Sequence, residues 1–322
     1  MSTSTRQASM SKKPSDKKPS DLDYFVFDKE YPIHSNACIL NIGSMGSGKS
    51  YFTYKYLLPI YIKYGGIKTL LIGSRTGKFD ATTAAELENP IYKDVLIYYI
   101  KIEEAFSCCQ MLRADAIINE YILKISEVKT DDDLVKIRKE VVQQMKWSAQ
   151  TEFTVIRREL EKLLAIIDKK LLLMDLEEVR DWAEMKWKLG TQLTFNPVLV
   201  VLDDYAGDNE LMKRNSSIYH LEILRRHLHT TLIINVQSLT SISTDIRRFT
   251  SEFVCFSTMS EADAELLKFR LPIKWNMKKI MEVFYRISDS EDRNGRMLTL
   301  FTTPGYQKLV EGMPQSVKQM SA

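Results

Sequence analysis

The sequence predicts an α/β fold, a mostly parallel sheet covered by helices and carrying a long helical insertion. Three observations support this class. Short apolar runs alternate with segments of helical spacing, a glycine-rich loop joins the first clear strand to a helix, and from Ile91 to Leu189 there is neither Gly nor Pro.

Residues 1–21 carry five bases (Arg6, Lys12, Lys13, Lys17, Lys18) against two acids (Asp16, Asp21), which is the whole formal charge of +3. This Ser-, Lys- and Pro-rich tail is expected to be disordered, and residues 22–322 to form one domain with its insertion at about 103–190. A neutral body argues against indiscriminate coating of nucleic acid but leaves room for a locally basic pore. No run approaches the ~18 apolar residues of a membrane span. The polar start Met1-Ser2-Thr3-Ser4-Thr5-Arg6 lacks a signal-peptide core, so the chain is expected to stay where it is made. Cys38 and Cys255 fall in predicted strands, and Cys108 with Cys109 in a helical stretch; none has zinc or redox spacing, which fits a reducing setting. His220, His227 and His229 lie close together without the cysteines or carboxylates that would complete a metal site.

The elements follow in order. Tyr24–Phe27 suggests a short strand before Tyr31-Pro32-Ile33-His34, and Ala37–Ile42 the first core strand. A helix should run from the glycine loop to about Lys63, where Tyr64-Gly65-Gly66 stops it. Lys68–Gly73 reads as a second buried strand and Asp94–Ile100 as a third strand, with a polar loop that begins Ser74-Arg75-Thr76-Gly77-Lys78 following the second. In the insertion, Leu134, Ile137, Val141, Val142 and Met145 share one helical face, Ile156, Leu160, Leu163, Leu164 and Ile167 another. Thr130-Asp131-Asp132-Asp133 and Asp175-Leu176-Glu177-Glu178 supply N-caps, and Gly190 a stop for the helix that holds Trp182 and Trp187. Strands resume at Pro197–Leu202, Thr231–Gln237 and Glu252–Phe256, with a helix around His220 to His229. Val283–Ile287 and Met297–Phe301 are expected to pair as a hairpin.

The glycine loop, Gly43-Ser44-Met45-Gly46-Ser47-Gly48-Lys49-Ser50, completes the G-x-x-x-x-G-K-[ST] pattern of a phosphate-binding loop between a strand and a helix. Its glycines let the backbone N–H groups point at a polyphosphate, Lys49 would reach the β and γ phosphates, and Ser50 would ligate Mg²⁺. Asp203 ends an apolar strand, where a carboxylate can hold Mg²⁺ through water. Asp204 beside it can orient the attacking water or accept its proton, although two acids at a strand end could instead cap a helix or turn. Gln237 closes the next strand at the same edge, where an amide can sense the γ-phosphate. Arg226 precedes that strand and Arg247 and Arg248 follow it; any of the three could reach across a subunit boundary as an arginine finger.

This order of motifs, P-loop, Leu202-Asp203-Asp204, Leu224-Arg225-Arg226-His227, Thr231–Gln237, then Ile242 and Asp245-Ile246-Arg247-Arg248, resembles the FtsK/HerA superfamily. It looks most like the genome-packaging ATPases of large double-stranded DNA viruses and virophages, over roughly residues 35–260 without most of the insertion. The resemblance implies a RecA-like P-loop NTPase that hydrolyses ATP with Mg²⁺ and moves double-stranded DNA into a preformed capsid. It further implies a hexameric ring, capsid or portal-vertex partners, and action in the virion or at the host-cell site of virus assembly. By resemblance Asp204 is the catalytic acid, Gln237 the sensor and Arg226 the best match to the finger. The long insertion and the lack of a membrane-anchoring region set the chain apart from the bacterial chromosome pumps. Two other readings fit a P-loop: a nucleoside or nucleotide kinase, which would need an arginine-rich lid, and a non-enzymatic nucleotide-dependent assembly protein.

Overall fold

Eight strands form one sheet in the order β3-β2-β4-β5-β1-β6-β7-β8, with β1 Cys38–Ile42, β2 Thr69–Ser74, β3 Leu96–Ile100, β4 Val198–Asp203, β5 Thr230–Val236, β6 Glu252–Phe256, β7 Met297–Phe301 and β8 Lys308–Glu311. The structure is a computed structural model and describes residues 34–74, 81–149, 151–190, 197–205, 207–256, 260–268, 270–271, 276–290, 296–302 and 307–313. The expected tail at 1–21, the strand at Tyr24–Phe27, the segment Tyr31–Ile33 and loop residues 75–78 lie outside these. The first six strands are parallel, and β7 and β8 add an antiparallel edge. The α/β class read from the sequence is therefore observed.

Alternation along the strands divides the core into two layers. Cys38, Leu40 and Ile42 of β1 and Val198, Val200 and Leu202 of β4 face one layer, and Ile39, Leu199 and Val201 face the other. Both sides of each central strand are covered, so the strands read as unbroken apolar runs rather than alternating ones. The second layer is built on the helix that leaves the P-loop. It begins as Lys49–Phe52, relaxes into a π turn over Thr53–Leu57, and continues as Leu58–Gly65 to a stop at Gly66 with φ 65°. Phe52, Tyr54, Leu57, Leu58, Ile60 and Tyr61 are buried on this side.

The insertion is four helices, Ala105–Ser126, Asp131–Ala149, Thr154–Leu173 and Leu176–Leu189. The first is the spine: it packs on the third and fourth and on the helix Ser217–Leu224, which ties the bundle to the sheet. Of the two expected apolar faces, Leu134, Ile137, Val141, Ile156, Leu160, Leu163 and Ile167 are buried, while Val142, Met145 and Leu164 are partly covered. Both expected caps form. The Thr130 Oγ1 accepts the Asp133 N–H at 3.2 Å while Asp133 Oδ2 accepts Thr130 N–H at 3.0 Å, and Asp175 with Glu178 makes the same reciprocal pair. Gly190 ends the last helix in extended conformation, φ −79° and ψ −179°.

One expected element is overturned. Val283–Ile287 is not a strand of a hairpin but part of the helix Met277–Ser288, and β7 pairs instead with β6 and with the unforeseen β8. The segment Val-Phe-Tyr-Arg-Ile has strand-forming side chains, yet Ile280, Val283, Phe284 and Ile287 stand at helical spacing and are the buried ones. Burial of that stripe outweighs local propensity. The helix expected around His220 to His229 is shorter, Ser217–Leu224, and a tight turn carries the chain through Arg226 into β5.

Glu222 on that helix is fully buried near Cys38 and Arg225, but the Arg225 guanidinium is spent on the backbone carbonyls of Asn36, Glu222 and Phe249. Burial raises the Glu222 carboxyl to about 8 from 4.5, so the folded chain holds this proton far longer than the unfolded one. The stabilising contribution is complete below pH 4.5 and is lost as pH rises towards about 8. Glu252, buried with His34, shifts in the same direction. Glu222→Gln should therefore reduce, without abolishing, the fall in denaturation midpoint between acidic and mildly alkaline pH. An unchanged pH profile would show that Glu222 is already ionised.

Candidate nucleotide and hydrolysis site

The site stands at the carboxyl edge of β1, β4 and β5. Gly46 and Gly48 have φ of 76° and 98°, a left-handed backbone open to glycine and strained for other residues, which curls the loop between β1 and the helix. A Cβ on Gly43 would lie 2.7 Å from Ser47 Oγ and 2.9 Å from the Phe256 Cβ, so the loop's first residue has no room for a side chain. The Lys49 ammonium donates to the Gly43 and Ser44 carbonyls at 2.6 and 2.8 Å. Burial holds it below the usual lysine range, opposed by Asp203 and Asp204.

β4 is not the neighbour of β1; β5 lies between them. Asp203 nevertheless reaches the P-loop helix, where Ser50 Oγ donates to its Oδ1 at 3.2 Å. The connection runs through residues in register across three strands, Asp203 opposite Asn235 and Asn235 opposite Asn41. The Asn235 amide donates to Asp203 Oδ1 at 3.1 Å and accepts from Asn41 Nδ2 at 2.8 Å. The second proton of Asn41 Nδ2 goes to Thr53 Oγ1 at 2.9 Å, and Thr53 Oγ1 stands 3.0 Å from both Asn235 Oδ1 and the Lys49 carbonyl. Asn41, Thr53 and Asn235 are all buried. The sequence reading missed all three. The signal of Asn41 and Asn235, a polar residue near the carboxyl end of each of two apolar runs, gains meaning only once the strand order is known, and Thr53 of the P-loop helix joins them only in space.

Burial raises the Asp203 carboxyl, and the bonds from Asn235 and Ser50, with Lys49, offset this. Its pairing with the Ser50 hydroxyl gives two hard oxygen donors beside a phosphate-shaped loop, the chemistry that suits Mg²⁺ shared with a bound triphosphate. Among the described residues no group of three or more His, Cys, Asp and Glu is placed to hold a metal. The loop and the Ser50 and Asp203 oxygens fit a triphosphate with a Mg²⁺ ion in their chemistry. Ser47 Oγ is buried in the loop with no hydrogen-bond partner, a polar atom that a phosphate oxygen would satisfy.

Asp204 follows with φ 60°, an uncommon conformation for a residue with a side chain, which turns the chain sharply off β4. Gln237, one residue beyond β5, donates from Nε2 to Asp204 Oδ1 at 3.4 Å. Lys49, Ser50, Asp203, Asp204 and Gln237 are thus gathered at one edge. Arg226 is not among them: it is exposed in the turn before β5, and the length of that strand, roughly 20 Å, separates it from Gln237. Arg247 is pinned to the Leu239 carbonyl at 2.9 Å and to Thr244 Oγ1 at 3.0 Å, and Arg248 is exposed. His227 packs against Trp147 and Phe153, and His220 stacks on Phe106, which accounts for them as packing residues.

A phosphate-binding loop, an acid pair at the end of one parallel strand and a glutamine at the end of the strand between them are the parts of a P-loop NTPase site, in the order that resembles the FtsK/HerA superfamily. Residues 166–303 match the family model described as Poxvirus A32 protein, a stretch that holds Asp203, Asp204, Arg226 and Gln237 but not the P-loop. Among solved structures, the genome packaging NTPase B204 from Sulfolobus turreted icosahedral virus 2, in complex with ATP-gammaS, is 10% identical. That alignment covers 86% of this chain and 98% of that one, with a TM-score of 0.43. The DNA-packaging ATPase B204 from Sulfolobus turreted icosahedral virus is 12% identical over 88% of this chain and 100% of that one, TM-score 0.41. The EssC segment with ATPases 2 and 3 from Geobacillus thermodenitrificans is 13% identical over 90% and 43% of the two chains, TM-score 0.41. No curated protein matches the chain.

Replacing the central amide tests the ladder. Asn235→Leu should keep the fold, raise the Mg²⁺ concentration needed for nucleotide binding and lower turnover about 10- to 100-fold, the usual cost of losing an outer-shell partner. Unchanged Mg²⁺ dependence in a titration would show that Asp203 needs no such support.

Proposed function

We propose that this protein is an ATP-hydrolysing double-stranded DNA translocase that packages a viral genome into a preformed capsid. The contact of Asp204 with Gln237 beside the P-loop carries the catalytic half of this reading. The motif order and the match of residues 166–303 to the poxvirus A32 family support the packaging half.

In this reading the loop N–H groups and Lys49 hold the triphosphate, with Lys49 exchanging its two loop carbonyls for phosphate oxygens. Ser50 and Asp203 hold Mg²⁺, which neutralises phosphate charge when bound. Asp204 accepts a proton from water as the water oxygen bonds to the γ-phosphorus and the bond to the β–γ bridging oxygen breaks, releasing ADP and phosphate. Gln237 fixes the Asp204 carboxylate before attack. Arg226, on the far side of the sheet from its own P-loop, acts on the nucleotide of a neighbouring subunit in a ring. Double-stranded DNA and capsid or portal-vertex proteins are the partners, met at the site of virus assembly.

Asp204→Asn should bind ATP as tightly as the parent and lose about 10²- to 10⁴-fold in turnover. Full hydrolysis by that variant, in a steady-state phosphate-release assay, would remove Asp204 from its role. For Arg226→Ala, turnover should drop by roughly 10³-fold or more with nucleotide affinity and subunit assembly intact. Wild-type turnover there would place the finger elsewhere.

A further inference from the structure

The acid and the sensor each lead into a loop, and the two loops are joined. The backbone N–H of Ser243, after Gln237, donates to the carbonyl of Leu211, after Asp204, at 2.8 Å. Arg214 pairs with Asp245 at 3.1 Å across the same junction, and Arg270 donates to the Thr244 carbonyl at 3.3 Å. Lys213, Arg214 and Arg248 are exposed on the outside of this junction, with Arg247 and Arg270 half-buried behind them. The arginines are close enough to repel one another: after burial, Arg270 is the next influence lowering Arg247, and Arg248 the next lowering Arg270. Against these five bases stand four acids of the loops: Asp245, taken up by Arg214, Asp263, whose carboxylate is used by Ser238, the Leu239 N–H and Ser260, and Asp208 and Glu210, which accept the Glu210 and Ser217 N–H groups. The acids are thus engaged within the loops or by Arg214, while the exposed charges of residues 208–248 at this junction are the bases Lys213, Arg214 and Arg248.

We propose that these joined loops are a contact surface for the phosphate backbone of duplex DNA, with Lys213, Arg214 and Arg248 as the contacting side chains. The assignment rests on the translocase reading and adds to it the part of the chain that touches the cargo. A surface of exposed bases, with Arg247 and Arg270 pinned to backbone carbonyls behind it, recognises charge and spacing rather than base sequence, as a packaging motor requires. Its chain continuity with Asp204 and Gln237 gives a direct route from phosphate release to DNA movement.

The test uses the full chain with a short labelled duplex of mixed sequence, titrated by fluorescence anisotropy between about 50 and 200 mM salt. Removing three phosphate contacts with Lys213→Ala, Arg214→Ala and Arg248→Ala together should reduce the slope of log affinity against log salt by roughly 2.7 and weaken binding at least tenfold. A fluorescent ATP analogue should bind the variant as it binds the parent, which certifies the fold. A charge-matched control on the insertion, Lys139→Ala with Lys146→Ala and Lys169→Ala, should leave the slope unchanged. Equal losses in both variants, or an unaltered slope in the first, would overturn the surface while leaving the translocase intact. A parent protein that binds no duplex even at low salt would overturn the translocase reading itself, and this surface with it.

Discussion

The strand that leads into the P-loop and the strand that delivers Asp203 never touch. β5 stands between them, and the side-chain amide of Asn235 is what closes the gap. Because Asn235 gives its N–H to Asp203 and takes one from Asn41, its amide has a fixed orientation, and the carboxylate of Asp203 is fixed with it. Thr53 ties this row to the first turn of the P-loop helix. A buried polar chain of this kind is costly unless each member is satisfied. Here the bonds that do form demand that β1, β4, β5 and the helix keep one register, and the Asn41 Oδ1 is the one buried atom of the row left without a partner.

That constraint explains how an exposed reaction edge can rest on an apolar sheet. The side chains below the row, such as Leu40, Val201 and Ile234, set strand order by burial alone and say nothing about chemistry. At the row, the interior turns polar over a single layer. Beyond it the backbone leaves regular structure, with Gly46, Gly48 and Asp204 all at positive φ. The site thus sits where regular pairing has just ended, with its groups held from below.

Much of this was legible in the sequence. The central strands are apolar on both faces, so Val198–Leu202 and Thr231–Val236 are hard to mistake, and the caps at Thr130 and Asp175 are local patterns that need no partner. The P-loop and acid pair were legible for the same reason, since their spacing is local. The C-terminal edge was not. Val283–Ile287 satisfies strand propensity and helical spacing at once, and Lys308–Glu311 is a short, half-exposed edge strand with little apolar signal. Asn41 and Asn235 were passed over because each is a single polar residue in an apolar run. What makes them a unit is the register between distant strands, which no local pattern contains.

The conformation of Asp204 limits what this position can become. At φ 60° a side chain crowds its own backbone, and only Gly, Asn and Asp adopt that geometry without appreciable strain. Glutamate, the obvious chemical equivalent of an aspartate, is therefore a poor substitute here, since it would add backbone strain to a longer reach. Asparagine keeps the turn and changes only the charge. The exchange alphabet at residue 204 is set by a dihedral angle as much as by the reaction, and an acid can persist there for reasons that the backbone alone would supply.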